Sequence, residues 1–144
     1  MAKNNYIPKE IKEIIHEINS CDMFKNIDMK KLVDMNGFAY IVAEYAVEEN
    51  IKTNQVRNFF GFIKKLERRN SWDKIAPDFY LLKPRMAIKV GRRDGITEGF
   101  FQVINVSMDK VDVGEEKDKK QSFKRFIEFF ESIVAYHKYL EGEK

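Results

Sequence analysis

A single cysteine, Cys21, rules out an internal disulfide, and nothing in the chain asks for an oxidising compartment. Three prolines and seven glycines in 144 residues leave little material for linkers. No apolar run approaches the roughly 18 residues of a membrane span. The opening MAKNNYIPKE holds no hydrophobic signal region, so the expected location is the cytoplasm, away from membranes. Two histidines, His16 and His137, together with Cys21 have no zinc-ligand spacing. A glycine-rich phosphate loop, a Walker pattern and a glycine-flanked serine nucleophile are all missing. Carboxylates stand mostly beside lysines, in surface-type positions. The expectation is a protein without metal, cofactor or catalytic residues. Internal repeats and low-complexity segments are also lacking.

What is present suits a helical core. Hydrophobic residues make up 44% of the chain and aromatics 13%, enough for one domain over residues 1–144. The apolar spacing predicts an all-α fold, a single compact bundle of about five main helices. Pro8 suits the first position of a helix, with Ile7, Ile11, Ile14, Ile15 and Ile18 on one face and His16 off it. Phe24 and Ile27 anchor the connection that follows. Asp28 can cap a helix from Met29 to about Asn50, with Leu32, Met35, Phe38, Val42, Tyr45 and Ala46 inward and Gly37 as a kink or break. Thr53 is placed to cap the next helix, and Trp72 reads as a core or hairpin anchor. Pro77 reads as a helix start, and Pro84 makes DFYLLKPRMAIKV either one kinked helix or two short ones. Residues 100–112 have strand-like composition, yet Phe101, Ile104, Met108 and Val111 keep helical spacing and no partner strand is in view. A helix is expected there.

Charge is the most uneven property. Residues 52–93 hold twelve Lys and Arg against three acids, a local balance of +9, while the rest carries fourteen against twenty, or −6. Such concentration points to a polyanionic partner. Over residues 54–70, Val56, Phe59, Phe60, Ile63 and Leu66 form an apolar stripe, and Arg57, Gly61, Lys64 and Arg68 a second stripe beside it. Lys52 lies just ahead of that helix. Further on, Arg85, Lys89 and Arg92 or Arg93 share a face. If the two helices lie side by side, the stripes combine into one wall for a phosphate backbone. Candidate nucleic-acid-binding residues are therefore Lys52, Arg57, Lys64, Arg68, Arg85, Lys89, Arg92 and Arg93.

The last helix is the plainest in the chain. Phe123, Phe126, Ile127, Phe130, Ile133, Val134, His137 and Leu140 trace one broad apolar face, with His137 read as a hydrogen-bonded core histidine. Phe129 and Tyr136 widen that face beyond what a lone helix needs, so both are expected at a protein interface.

Three stretches, KTNQVRNFF, LLKPRMAIKVGR and FKRFIEFFESIVAYHKYLEG, carry a resemblance. Thr53, Gln55, Arg57 and Phe59 match a Thr-x-Gln-x-Arg-x-Phe segment. Leu82, Lys83, Pro84, Arg85, Gly91 and Arg92 match a Leu-Lys-Pro-basic segment ending in Gly-Arg. Ala135, Tyr136, His137 and Lys138 match a C-terminal Ala-Tyr-His-Lys. In this order and at this length the chain resembles the small, all-helical subunit of the type III-A CRISPR effector, the Csm complex. The first 50 residues and 94–120 agree in general character, and Ile88-Lys89-Val90 stands where an aromatic and small residues are more usual. The resemblance implies a non-catalytic subunit in antiviral defence. Its copies would stack as a filament beside the crRNA-bearing subunits and line the channel where single-stranded target RNA pairs with the crRNA. Partners would be that duplex, other Csm subunits and neighbouring copies. The competing reading is a helix-turn-helix DNA-binding regulator, since a helix, a three-residue link and a polar second helix also give that outline.

Overall fold

The computed structural model describes residues 6–142. Eight α-helices follow in order: α1 (Lys9–Ser20), α2 (Met29–Val33), α3 (Phe38–Glu48), α4 (Thr53–Leu66), α5 (Trp72–Tyr80), α6 (Leu82–Gly91), α7 (Glu98–Val111) and α8 (Glu116–Gly142). A 3-10 turn at Phe24–Asn26 lies between α1 and α2, and no strand occurs among the described residues. If the five-residue α2 is set aside and α5 and α6 are taken together across Leu81, six long segments remain, close to the expected five. Residues 100–111 are helical, as the spacing of Ile104, Met108 and Val111 requires, and Asp112 is the C-cap.

The fold is built around α8. Its 27 residues make a rod about 40 Å long, and α3, α4, α7 and the 3-10 turn pack along it, with α1 laid on α7. Aromatic rings fill the centre in edge-to-face pairs: Phe79 on Phe123 at 5.5 Å and on Phe126 at 5.7 Å, Trp72 on Phe123 at 6.0 Å. Each such pair adds about 0.5–1.5 kcal/mol beyond simple burial. This packing also corrects the reading of the wide apolar face. Phe129 is fully buried inside its own chain, 5.8 Å from Phe24. Half-buried Tyr136 sets its ring against Tyr40 and donates its hydroxyl to the Val33 carbonyl at 2.6 Å. The breadth of α8 is consumed internally because it meets neighbours on most of its circumference.

Other departures have local causes. The expected Met29-to-Asn50 helix is broken between Val33 and Phe38. At Gly37 a Cβ would lie 2.6 Å from the Lys31 carbonyl oxygen, so only glycine lets the chain fold back over α2. Met35 falls in this turn and is half exposed instead of inward. Asp28 does cap α2, its carboxylate accepting from the Lys31 amide at 3.1 Å. Pro77 does not begin a helix: α5 starts at Trp72, because Trp72, Ile75, Ala76 and Phe79 form a buried face that outweighs one lost backbone bond on the exposed side. Pro84 sits in the first turn of α6, where a missing N–H is not needed, so the segment is two short helices. Helix α7 meets α3 through Gly99, where a Cβ would stand 2.3 Å from the Tyr45 hydroxyl. That hydroxyl is paired with Thr97 at 2.9 Å.

Candidate nucleic-acid interface

Helix α4 forms because Val56, Phe59, Ile63 and Leu66 recur at helical spacing and all four are buried. Half-buried Phe60 stacks on Phe130 of α8. Thr53 is not its cap. Lys52 holds that position, and the Thr53 hydroxyl instead lies between His137 Nδ1 at 3.2 Å and Glu141 Oε1 at 2.5 Å. His137 is wholly buried, with Nε2 2.7 Å from the Ile51 carbonyl. A carbonyl only accepts, so Nε2 carries the hydrogen, and the link between α3 and α4 is pinned to α8. The core-histidine reading of His137 stands.

On its outer side α4 exposes Arg57, Gly61, Lys64 and Lys65, and Arg68 follows in the turn after Leu66. A Cβ at Gly61 would meet nothing within 4 Å, so the fold itself makes no demand for glycine there. Lys64 is held by Glu67 at 2.8 Å. That hydrogen bond and the Glu67 charge raise its pKa above the usual lysine value, with a smaller push from Glu131 on α8. Arg69 is spent on structure, bonded to Asp78 at 2.7 Å and to the Lys74 carbonyl at 2.8 Å.

Helix α6 buries Leu82 and Met86 and turns Arg85 and Ile88 to solvent. The Arg85 guanidinium lies 4.5 Å over the ring of Phe62 on α4. Lys89 reaches Asp94 at 3.4 Å. Between α4 and α6 runs a groove of about 370 Å³, with Gln55, Asn58 and Phe62 facing Arg85, Ile88 and Lys89, and Arg92 and Asp94 at one end. Gly95, at φ 92°, closes the loop behind it and brings its backbone against the Gln55 side chain, which a Cβ would approach to 3.0 Å.

The structure divides the sequence-derived set. Arg85, Lys89 and Arg92 come together on the groove. At 100° per residue, Arg57 and Lys64 lie about 140–160° around α4 from Phe62, on the side of Glu131, so the two stripes do not form a single groove wall. Lys52 stands exposed ahead of α4, and Arg93 lines a separate depression with Glu49, Asn50 and Thr97. Lys65, between the α4 stripe and the groove, was missed, as were Gln55, Asn58, Phe62 and Ile88. The signal for Phe62 was an aromatic just outside the buried stripe and next to the basic one. Ile88 showed itself as an isoleucine on a charged helix.

These observations define a helical protein with a basic, partly apolar outer surface on α4 and α6. Among the described residues, no group of His, Cys, Asp and Glu is arranged to hold a metal ion, and no helix is long and apolar enough to cross a membrane. The family model for Csm2 Type III-A matches residues 26–143. The chain therefore belongs to the Csm2 type III-A family: it is a small Csm subunit of a type III-A CRISPR complex, associated with the other Csm subunits. Comparison with curated proteins gave no match, and comparison with solved structures gave none either.

Proposed function

We propose that this subunit is non-catalytic, stacks with copies of itself in a cytoplasmic interference complex, and meets the target RNA–crRNA duplex through the solvent face of α4 and α6. The supporting observation is the set of cations kept at that surface. Arg57, Lys65, Arg68 and Arg92 are exposed and have no ion-pair partner among the described residues, and Glu67 and Asp94 are engaged by Lys64 and Lys89. Contacts of this kind read the backbone and leave sequence to base pairing. One copy binds weakly; a row of copies multiplies the effect through effective concentration.

The test is target-RNA affinity of the assembled complex against ionic strength. For single strands the log–log salt slope is about 0.7 per phosphate neutralised, so four contacts cost roughly 50-fold over a fourfold rise in salt. Arg57→Glu with Arg85→Glu is expected to flatten that slope for all sequences alike. Thermal stability should fall little, since both residues are exposed. An unchanged slope refutes the assignment of these positions, and loss confined to one sequence favours a sequence-reading regulator instead.

A further inference from the structure

We propose that the α4–α6 groove holds one unstacked base of a single-stranded RNA, with the heterocycle against Phe62 and Ile88 and the neighbouring phosphates on Arg85, Lys89 and Arg92. The proposal rests on the RNA-binding reading above and deepens it, from a charged surface to a site with a defined occupant.

Four features carry it. Ile88 is 52% exposed, a large apolar side chain turned to solvent at the groove. Phe62 is half-buried, with the Arg85 guanidinium 4.5 Å over its ring. A guanidinium over a ring is a planar stack that a base can extend or replace. The cavity, about 370 Å³, falls within the range of small-ligand sites. Gln55 and Asn58 place side-chain amides on the α4 wall, and each amide can donate and accept at a base edge. Charge selects the class of occupant. Three cations face one acid, Asp94, so an anionic ligand with a flat apolar part fits, and a purely apolar helix does not. Inside a duplex both faces of every base are covered by its neighbours, so the occupant is a nucleotide splayed out of the duplex or left unpaired beside it, while the rest of the duplex meets the outer cations.

The full-length chain would be titrated at low salt with a single-stranded RNA containing 2-aminopurine. A strand of equal length with abasic sites and an acidic polyglutamate peptide would be titrated alongside. The base-bearing strand is expected to bind about fivefold tighter or more than the abasic one, the lower end of what one stacked base contributes. Its fluorescence should rise on binding as the base leaves its stacked neighbours. Ile88→Ala and Phe62→Leu should abolish both the preference and the fluorescence rise while the abasic strand binds as before. Ile88→Ala is the safer variant because that side chain is half exposed, and thermal melts establish that both variants fold. Lys89→Gln with Arg92→Gln should weaken both strands together. Equal affinity for the two strands, with the cation variants still weakening both, overturns the base site and leaves the backbone reading standing. No binding of either strand overturns both readings. Displacement of RNA by the peptide at similar concentration overturns the base site in favour of an acidic protein partner.

Discussion

Replacing His137 by leucine removes one hydrogen-bond donor while keeping most of the apolar volume, and the cost can be worked from its surroundings. Nε2 donates to the carbonyl of Ile51, a residue 1% exposed, at 2.7 Å. Water cannot take over, so the carbonyl is left without a partner, at about 1–3 kcal/mol. The Nδ1 contact to Thr53 adds little, because the Thr53 hydroxyl keeps Glu141. For a chain of this length, each kcal/mol lowers Tm by about 3 °C, so His137→Leu should melt roughly 3–10 °C lower. His137→Gln carries an amide N–H to about the same place as Nε2 and should recover much of the loss. The assay is thermal unfolding of the three proteins by circular dichroism. Leucine as stable as histidine, or glutamine below leucine, would refute the reasoning, since either result means the Ile51 carbonyl does not need this donor.

Gly99→Ala pushes a Cβ to 2.3 Å from the Tyr45 hydroxyl and should cost about 1–3 kcal/mol by overpacking; denaturant unfolding measures it, and Tyr45→Phe in the same background should relieve part of it. Phe129→Ala, opening a cavity at a fully buried position, should cost about 3–5 kcal/mol in the isolated protein, and a stable variant defective only in assembly would restore Phe129 to an interface role. Asp118 holds Lys25 at 2.6 Å and accepts from the Glu115 amide, and the Lys25 hydrogen bond foremost lowers its pKa below the usual carboxylate value. Its contribution is therefore complete above the unfolded carboxyl pKa of about 3.9 and lost as pH falls through the folded value. Asp118→Asn should show a shallower acid limb in stability against pH, with parallel limbs as the contrary result.

Helical periodicity reports which side of a helix is buried, and that much was readable: the stripes of α1, α4 and α8 went inward as spaced. It does not report how many neighbours a helix meets. Phe129 looked surplus because one packing partner was imagined for α8, whereas several surround it. The basic residues posed the same problem in reverse. Arg57 and Arg85 share a charge pattern in the chain, but the rotation of α4 about its axis is set by Phe59 and Ile63, and this turns Arg57 away from α6. Thr53 was read as a cap by residue type alone. Its actual partners lie 84 and 88 positions later, beyond the reach of local rules. Two of the quoted motif residues, Tyr136 and His137, have a structural account in the chain itself, since both donate to backbone carbonyls near helix ends, at Val33 and Ile51.

The central position of α8 has a consequence for how the chain is made. Of the eight helices described, the one on which the others pack is the last to be synthesised. Lys25 bonds to Ser122, Tyr136 to Val33 and His137 to Ile51 across spans of 97, 103 and 86 residues. None of these closures can form while synthesis is under way at α7. At about 5–20 residues per second, the 27 residues of α8 take roughly 1–5 s to add. Through that interval the faces of α3, α4 and α7 that pack on α8 have no partner to cover them. A lesion that shortens α8 therefore removes the helix against which α3, α4, α7 and the 3-10 turn pack.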